Sequence, residues 1–483
     1  MSKVQTIIKN ASSLAVGRVA TKAMSLVFLG FVARKLGEEG FGRFSTAMAL
    51  VGFVEILPGY IARPFIIRHV AREMEKSGRF LAGVIGTNVA LSIALFVALY
   101  FVTPLLNYPP DTDAAVLLLA ASLLFSSITN SYHAVFTGFE RMERSAMLDV
   151  ANSLMTIAAG VAALLLGGDV VALAGCYAAA RVGTWWLARR WALAMLDKET
   201  GARPDWALVR ELAVGAWPFF ITQLFIIFYN RADIIMLSVM DGPIPQDVAV
   251  GHYNAAYKLM EALGLLTSSF VVAIYPLLAR QFMEGTHGVR ATFQAGMRFL
   301  FALVLPVAVG TTLLADDLMG LLFGDHFRVA GAALAVLIWG QVLDSVNPLA
   351  AVTLRAIDKE RDLARITGAC AVFNVALNVI LIPRYSYMGA AWATLLSFVL
   401  VYVWGIAVLR RDLGPLSING SALRASLAAA AMGGVVHLTH PYGYGWAIVA
   451  GAAAYPPLAL AFGVVRREDW TMIQRRRAAG GTT

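Results

Sequence analysis

The sequence predicts an all-α integral membrane protein with fourteen transmembrane helices. The chain contains fourteen apolar stretches of about 20 residues, the length that crosses a hydrocarbon core about 30 Å thick. Its residues are 59% hydrophobic and 14% charged, whereas soluble domains have about a quarter charged residues. Lysine and arginine are concentrated in every second connection between the stretches. All connections are short, which leaves no room for a folded extramembrane domain.

The spans are placed on the apolar stretches in chain order. They cover residues 12–33, 43–62, 81–105, 113–137, 146–167, 170–188, 213–240, 248–277, 293–314, 329–352, 366–383, 387–409, 422–440 and 444–465. The first stretch has no convincing cleavage site, so we interpret it as a retained helix.

The distribution of basic residues predicts the topology. Most of the 39 lysines and arginines lie in alternate connections and at the two termini. The opposite connections carry Arg34, Lys35, Arg43, Arg328 and Arg384. The positive-inside rule therefore places both termini in the cytoplasm. The net charge of +9 is mainly a topology signal, with membrane lipid headgroups as partners and no nucleic acid.

Internal similarity predicts two six-helix lobes in a parallel pseudo-repeat. Residues 42–47 (Gly-Arg-Phe-Ser-Thr-Ala) are similar to 251–256 (Gly-His-Tyr-Asn-Ala-Ala), and 174–178 are similar to 389–393. Each pair falls at equivalent places in a six-plus-six arrangement. We therefore predict an N-terminal lobe over 1–195 and a C-terminal lobe over 196–412. Helices 13 and 14, with a basic cytoplasmic tail, occupy 413–483.

Charged residues inside the spans mark the candidate site, because an ionisable group at mid-bilayer costs at least about 2.5–3.5 kcal/mol. The basic candidates for substrate binding are Arg18, Lys22, Arg181, Arg231 and Lys258. The acidic candidates, for ion coupling or pairing, are Glu55, Asp233, Glu261 and Asp344. Arg18 and Lys22 share one helical face, which favours an anion such as a phosphate or pyrophosphate group between them.

A structural interpretation of these charges stays open. Asp233 could pair with Lys258, and Glu55 with Arg18 or Lys22, simply to hold helices together. Polar residues in the spans could bind sugar hydroxyls or a neighbouring helix. These polar candidates are Asn130, Asn230, Asn374 and Asn378. His133, near the cytoplasmic end of its span, is assigned a structural role.

No cofactor is expected. The sequence lacks a phosphate-binding loop of the GxxxxGK[ST] type, which argues against ATP hydrolysis. Cys176 and Cys370 lie in apolar segments and are interpreted as packed thiols, not as a metal or redox pair.

Four passages carry a resemblance to a known family. They are residues 33–44, 136–141, 231–237 with 251–259, and 358–398, the last containing Asn374, Asn378 and the run Leu-Ile-Pro at 381–383. Together they resemble the O-antigen and exopolysaccharide flippases of the multidrug/oligosaccharidyl-lipid/polysaccharide exporter superfamily. Residues 385–388 depart from the glycine turn that relatives often carry there.

The resemblance implies a function as well as a fold. It implies two lobes around a central cavity in the bacterial cytoplasmic membrane. An undecaprenyl-pyrophosphate-linked oligosaccharide would cross by alternating access coupled to H⁺ or Na⁺. In this hypothesis Arg18, Lys22, Arg231 and Lys258 bind the pyrophosphate and acidic sugars, and the acidic residues take up the coupling ion. A polysaccharide polymerase and a chain-length regulator are expected as further partners.

Three other functions are alternatives to this one. A lipid II flippase of peptidoglycan synthesis shares the fourteen-helix count and a cationic cavity. A multidrug cation antiporter of the same superfamily would favour twelve helices and an acidic cavity. A membrane glycosyltransferase or polymerase would need a sizeable external loop, so we do not expect an enzyme.

Overall fold

The computed structural model describes residues 3–60, 66–67, 70, 77–195, 231–417 and 419–464. These residues form helices joined by short connections, and no strand occurs among them. Within these ranges, nine helices are long and apolar enough to cross a membrane. The predicted all-α membrane fold is confirmed.

The helices are numbered here in chain order. They are α1 (Lys3–Tyr60), α2 (Ser77–Val102), α3 (Pro110–Gly138), α4 (Met142–Leu165), α5 (Val170–Leu193), α6 (Gln246–Leu263), α7 (Leu265–Glu284), α8 (Thr286–Leu313), α9 (Ala315–Phe323), α10 (Gly331–Ala356), α11 (Glu360–Leu413), α12 (Asn419–Thr439) and α13 (Tyr444–Ala461). Residues 231–239 are also helical. Short 3₁₀ turns cover Thr103–Leu106, Asp325–Ala330 and His440–Tyr442.

Two of the helices each hold two predicted spans. The chain leaves helical geometry within α1 only at Gly37 (φ 70°, ψ −176°) and within α11 only at Ser386 (φ 49°, ψ −132°). The connections predicted at 34–42 and 384–386 are therefore shorter than the sequence indicated. Glycine adopts the positive φ at position 37 without a steric penalty.

The span predicted over 248–277 is interrupted in the structure. It is divided between α6 and α7 at Gly264. A Cβ at this position would collide with the side chain of Gln341, so the glycine permits a close approach by α10. The predicted span 213–240 is described only from residue 231, from which it is helical to residue 239.

The chain divides into two compact units. The first comprises Met1–Ala255, Leu322–His326 and Val375–Ala390. In this unit α3 packs against α5, α2 and α1, and α4 packs against α5 and α1. Phe136 and Leu148 are fully buried in its core. These contacts among five helices position the polar groups described below.

The second unit comprises Ala256–Leu321, Phe327–Asn374 and Ala391–Thr483. Its central helix is α8, which packs against α7, α10 and α12, while α12 also packs against α13. Phe293, Leu300 and Leu349 are fully buried in its core. The division into lobes over 1–195 and 196–412, with 413–483 outside them, stays a prediction.

The two similar segments at 42–47 and 251–256 meet in a reciprocal contact within the first unit. A Cβ on Gly42 would collide with the carbonyl oxygen of Asp247, and a Cβ on Gly251 would collide with that of Glu38. Each glycine thus touches the residue four positions before the other glycine. Asn254 Nδ2 donates a hydrogen bond to Ser45 Oγ at 2.7 Å, and both lie three positions after a glycine. The contact between α1 and α6 therefore has local two-fold pseudo-symmetry.

Candidate functional site

A polar cavity of about 160 Å³ lies among α1, α3, α4 and α5. Its walls combine charged groups with neutral hydrogen-bonding groups. The lining residues are Glu55, Ser126, Thr129, Asn130, His133, Leu148, Asp149, Asn152, Arg181 and Thr184. We refer to this space as the inner cavity, since the predicted topology places Asn130 and Glu55 in the cytoplasmic half of their spans.

The inner cavity is centred on an ion pair between Arg181 and Glu55. Arg181 Nη2 donates to Glu55 Oε2 at 2.8 Å, and Arg181 Nη1 donates to Ser122 Oγ at 3.0 Å. The two charged side chains are 15% and 20% exposed. These bonds use two of the five N–H groups of a guanidinium. An anion in the cavity can therefore bind Arg181 while the bond to Glu55 stays in place.

Neutral side chains and one further carboxylate, Asp149, surround this ion pair. Thr184 Oγ1 donates to Asn152 Oδ1 at 3.1 Å, and Asn130 lines the same wall. His133 Nε2 lies 3.7 Å from Asp149 Oδ1. Amides and hydroxyls of this kind hydrogen-bond to sugar hydroxyls as readily as to each other.

A second polar cluster in the first unit is built around Asp233. This carboxylate is 3% exposed. It accepts hydrogen bonds from Tyr253 Oη at 2.7 Å and from Asn378 Nδ2 at 2.6 Å. Both donors are neutral groups that orient and stabilise the carboxylate.

A third cluster lies in the second unit. Lys258 Nζ donates to Glu261 Oε2 at 2.7 Å. Asp344 lies three residues after Gln341 on α10 and is within electrostatic reach of Glu261. Two carboxylates and one ammonium group therefore lie close together inside apolar helices.

The structure brings some of the predicted site residues together and separates others. Arg181, Glu55 and Asn130 share the inner cavity, and Asp233 is bonded to Asn378. In the second unit, Lys258, Glu261 and Asp344 form one cluster, and Asn374 is buried. Lys22, on α1, is exposed. Arg231, at the start of the helical residues 231–239, is partly exposed. The side chain of Arg18 and all of Asn230 lie outside the described residues.

The structure identifies a partner of Glu55 that the sequence did not name. The sequence left pairing of Glu55 with Arg18 or Lys22 open, and in the structure Glu55 forms a close ion pair with Arg181. The reason is that α5 lies beside α1 at this level, a neighbour relation that spacing along one helix does not contain.

Sequence reasoning missed several residues of these clusters. Asp149 and Asn152 are polar residues three positions apart in the apolar helix α4, so the signal used for other spans would have found them. His133, assigned a structural role, lines the inner cavity. Tyr253 has no comparable sequence signal, because tyrosine is common in membrane helices.

Two family models match this chain. Residues 7–282 match the model described as "Polysaccharide biosynthesis protein", and residues 218–380 match the model described as "MatE". The first match covers more than half of the chain, and the two matches overlap.

Individual relatives agree with these models. The chain is 24% identical over 376 residues to the "Probable low-salt glycan biosynthesis flippase Agl15" of Haloferax volcanii, covering 77% of each chain. It is 23% identical over 408 residues to the "Putative O-antigen transporter" of Shigella flexneri, covering 80% of this chain and 93% of that one.

A solved structure shows the same fold. The lipid II flippase MurJ, in an inward closed conformation, superposes with a TM-score of 0.76 at 13% identity and covers 93% of this chain and 98% of its own. The chain is a multi-pass membrane protein, and it belongs to the polysaccharide biosynthesis protein family within the multidrug/oligosaccharidyl-lipid/polysaccharide exporter superfamily.

Proposed function

We propose that this protein is a flippase for an undecaprenyl-pyrophosphate-linked oligosaccharide. The cargo moves from the cytoplasmic to the outer leaflet of the bacterial cytoplasmic membrane, and both termini of the chain are cytoplasmic. Translocation is ion-coupled alternating access without an enzymatic step. The family match, the names of the two relatives and the basic connections on one side of the spans support this proposal.

The observation that carries the proposal is the Arg181–Glu55 pair in the inner cavity. The cargo combines a pyrophosphate with sugar hydroxyls, and the cavity combines a guanidinium with amides and hydroxyls. Guanidinium groups bind phosphate oxygens in a bidentate geometry. At about 160 Å³, the cavity holds about five water volumes of about 30 Å³ each. It therefore accommodates a phosphate group or part of one sugar, while the lipid tail stays in the bilayer.

We assign the coupling ion to the two other clusters. Asp233 is a buried carboxylate that accepts hydrogen bonds from Tyr253 and Asn378, and Glu261 and Asp344 lie near the ammonium group of Lys258. Uptake of H⁺ or Na⁺ at these carboxylates would change the local charge inside the span, where the cost of a charge is high. Membrane lipids, a polysaccharide polymerase and a chain-length regulator are the partners of the proposed pathway.

Deletion of the gene in its host tests the function. Surface polysaccharide and undecaprenyl-linked intermediates are then measured together. We expect loss of one surface polymer, with its lipid-linked repeat unit retained in the inner leaflet. Normal polymer with increased sensitivity to cationic drugs would contradict the proposal and favour a multidrug antiporter. Lethality with accumulated lipid II would contradict it in favour of the peptidoglycan flippase.

The same deletion strain tests the predicted contribution of Arg231. We expect Arg231→Ala to abolish export while the amount of folded protein in the membrane stays unchanged. The matched control is Arg384→Ala, which removes an exposed arginine from the opposite side of the predicted topology. Full complementation by Arg231→Ala would remove that residue from the site.

A further inference from the structure

The contact between α1 and α6, here called the crossing, places a basic side chain beside a carboxylate at two equivalent positions. Arg43 Nε donates to Asp247 Oδ2 at 3.0 Å, and His252 Nε2 lies 3.3 Å from Glu38 Oε1. Arg43 and His252 each follow one of the two glycines, and Asp247 and Glu38 each precede the opposite glycine by four residues. The pseudo-symmetry of the backbone contact therefore extends to its basic and acidic side chains.

The crossing joins the two predicted lobes. Glu38 and Arg43 belong to the lobe over 1–195, whereas Asp247 and His252 belong to the lobe over 196–412. The glycines let the two backbones touch, and Asn254 and Ser45 add a buried hydrogen bond. Close packing of this kind excludes water and cargo from the space between the helices.

Arg43 also contacts carboxylates of its own predicted lobe. Besides Asp247, it contacts Glu39 one turn earlier on α1 and Asp111 at the start of α3, the latter at 3.3 Å. If the crossing separates, Arg43 loses Asp247 but keeps Glu39 and Asp111. Arg43 therefore still has carboxylate partners after separation. Because no uncompensated charge is left, the contact can open and close reversibly.

An open cavity of about 650 Å³ lies directly beside the crossing. Its walls include Glu39, Tyr108, Asp241, Gln246 and Asp247. The hydroxyl of Tyr108, on one wall of this cavity, is 2.8 Å from the hydroxyl of Ser238. The connections around this cavity lie on the side with few basic residues, which the positive-inside rule places outside the cell.

We propose that the crossing is the outer gate of the transport cycle. In the closed state Gly42 and Gly251 are in contact and Arg43 is bonded to Asp247. Release of cargo to the outer leaflet requires the crossing to separate. This inference rests on the proposed function, because a gate of this kind is needed only if cargo leaves through this side.

Reversible cross-linking tests whether the crossing opens. Cysteines replace Ser45 and Asn254 in a chain whose native thiols are removed by Cys176→Ala and Cys370→Ala. The control pair replaces Asn88 and Ser131, which are hydrogen-bonded at 3.0 Å between α2 and α3 of one predicted lobe. We expect oxidation to stop export in the first strain and reduction to restore it, while the control strain exports throughout. Undiminished export by the cross-linked Ser45/Asn254 pair would overturn the gate.

Thiol labelling tests the gate without reference to the cargo. Ser45 is 3% exposed, so Ser45→Cys reacts with a membrane-impermeant maleimide only when the crossing separates. We expect Arg43→Gln to increase the labelling rate several-fold. The control Asp241→Asn removes a carboxylate that lines the open cavity beside the crossing. It should leave the labelling rate unchanged. Equal rates in the Arg43→Gln and unmodified backgrounds would overturn the gate.

The two experiments also separate this inference from the proposed function. Increased labelling in Arg43→Gln, together with normal polysaccharide after gene deletion, would support the gate and reject the proposed cargo. Loss of polymer after deletion, with neither the cross-linking nor the labelling effect, would support the proposed cargo and contradict the proposed outer gate.

Discussion

Arg181 and Arg43 are both partly buried arginines with carboxylate partners, but their surroundings differ. In the part of the chain that the structure describes, Arg181 is bonded to one carboxylate, Glu55, and one hydroxyl. Arg43 contacts three carboxylates from three different segments. Their side chains are similarly exposed, at 15% and 23%. Burial alone therefore does not distinguish them.

The number of carboxylates close to each arginine decides whether that arginine can bind a phosphate group. One carboxylate is bonded to Arg181, and a second, Asp149, lines the same cavity beside His133. An incoming phosphate therefore meets fewer carboxylates at the inner cavity than it would at Arg43. Three carboxylates around Arg43 produce local negative charge, which repels phosphate. The inner arginine is suited to cargo, and the outer arginine is suited to holding protein segments together.

The largest expected effect comes from reversing the inner pair. Arg181→Ala leaves the partly buried Glu55 without this cation. Breaking a fully buried pair costs about 3–5 kcal/mol, so we expect a stability loss below that range together with loss of export. The double variant Glu55→Arg with Arg181→Glu restores an ion pair in place. We expect it to recover thermal stability, measured on the purified protein in detergent, but not export.

One contradicting outcome and one control complete this test of the inner pair. Restored export in the reversed double variant would show that the pair is only structural. Arg190→Ala is the matched control, because Arg190 lies on the same helix with its guanidinium over the ring of Trp186. It should retain both stability and export.

A smaller effect is expected from adding one methyl group at the crossing. Gly42→Ala places a Cβ against the backbone of α6, and overpacking of this kind costs about 1–3 kcal/mol. Gly52→Ala, on the same helix, has open space around the added Cβ and should be neutral or slightly stabilising. Thermal unfolding of the two variants makes the comparison. Equal stability would show that the backbones of α1 and α6 do not need to touch.

Two asparagine substitutions compare the contact between α1 and α6 with the inner cavity, in stability and in export. Asn254→Ala removes the buried bond to Ser45, so we expect a stability loss of about 0.6–1.7 kcal/mol. Asn130→Ala removes a lining group of the inner cavity, so we expect reduced export with stability unchanged. Measuring unfolding and export for both variants tests this separation. If Asn130→Ala destabilises the protein as much as Asn254→Ala, the inner amide is part of the packing and not of the cargo site.

The smallest effect is expected from Asp111→Asn. Asp111 is 52% exposed, and Arg43 retains two other carboxylates. Exposed ion pairs contribute about 0.2–1 kcal/mol, and salt screens them further. Unfolding measured at low and high salt should show a small loss that disappears at high salt. A loss as large as that of Arg181→Ala would mean that the three carboxylates around Arg43 do not substitute for one another.

Pairing between helices was the least accessible feature from sequence. The rule that buried charges are paired correctly indicated that Glu55 has a cationic partner. The rule did not select Arg181 as a partner, because Arg18, Lys22 and Arg181 all lie at plausible depths in their spans. Only the packing of α5 beside α1 selects Arg181.

The similarity of residues 42–47 and 251–256 shows what a repeat can and cannot predict. It identified two equivalent positions in the chain. It did not indicate that these positions touch each other, since equivalent helices of two lobes can equally lie far apart. The close approach of Gly42 to Asp247 and of Gly251 to Glu38 is a property of the folded chain.

The sequence by itself determined that this protein is a bundle of membrane helices, where most of those helices lie and which connections carry positive charge. These properties depend on local hydropathy and on residues close together in the chain, because each membrane helix satisfies its own backbone hydrogen bonds. The tertiary structure decided which charges meet, including Arg181 with Glu55 and Arg43 with Asp247. Those contacts depend on the rotation and neighbours of each helix, which are set by packing between residues far apart in the chain.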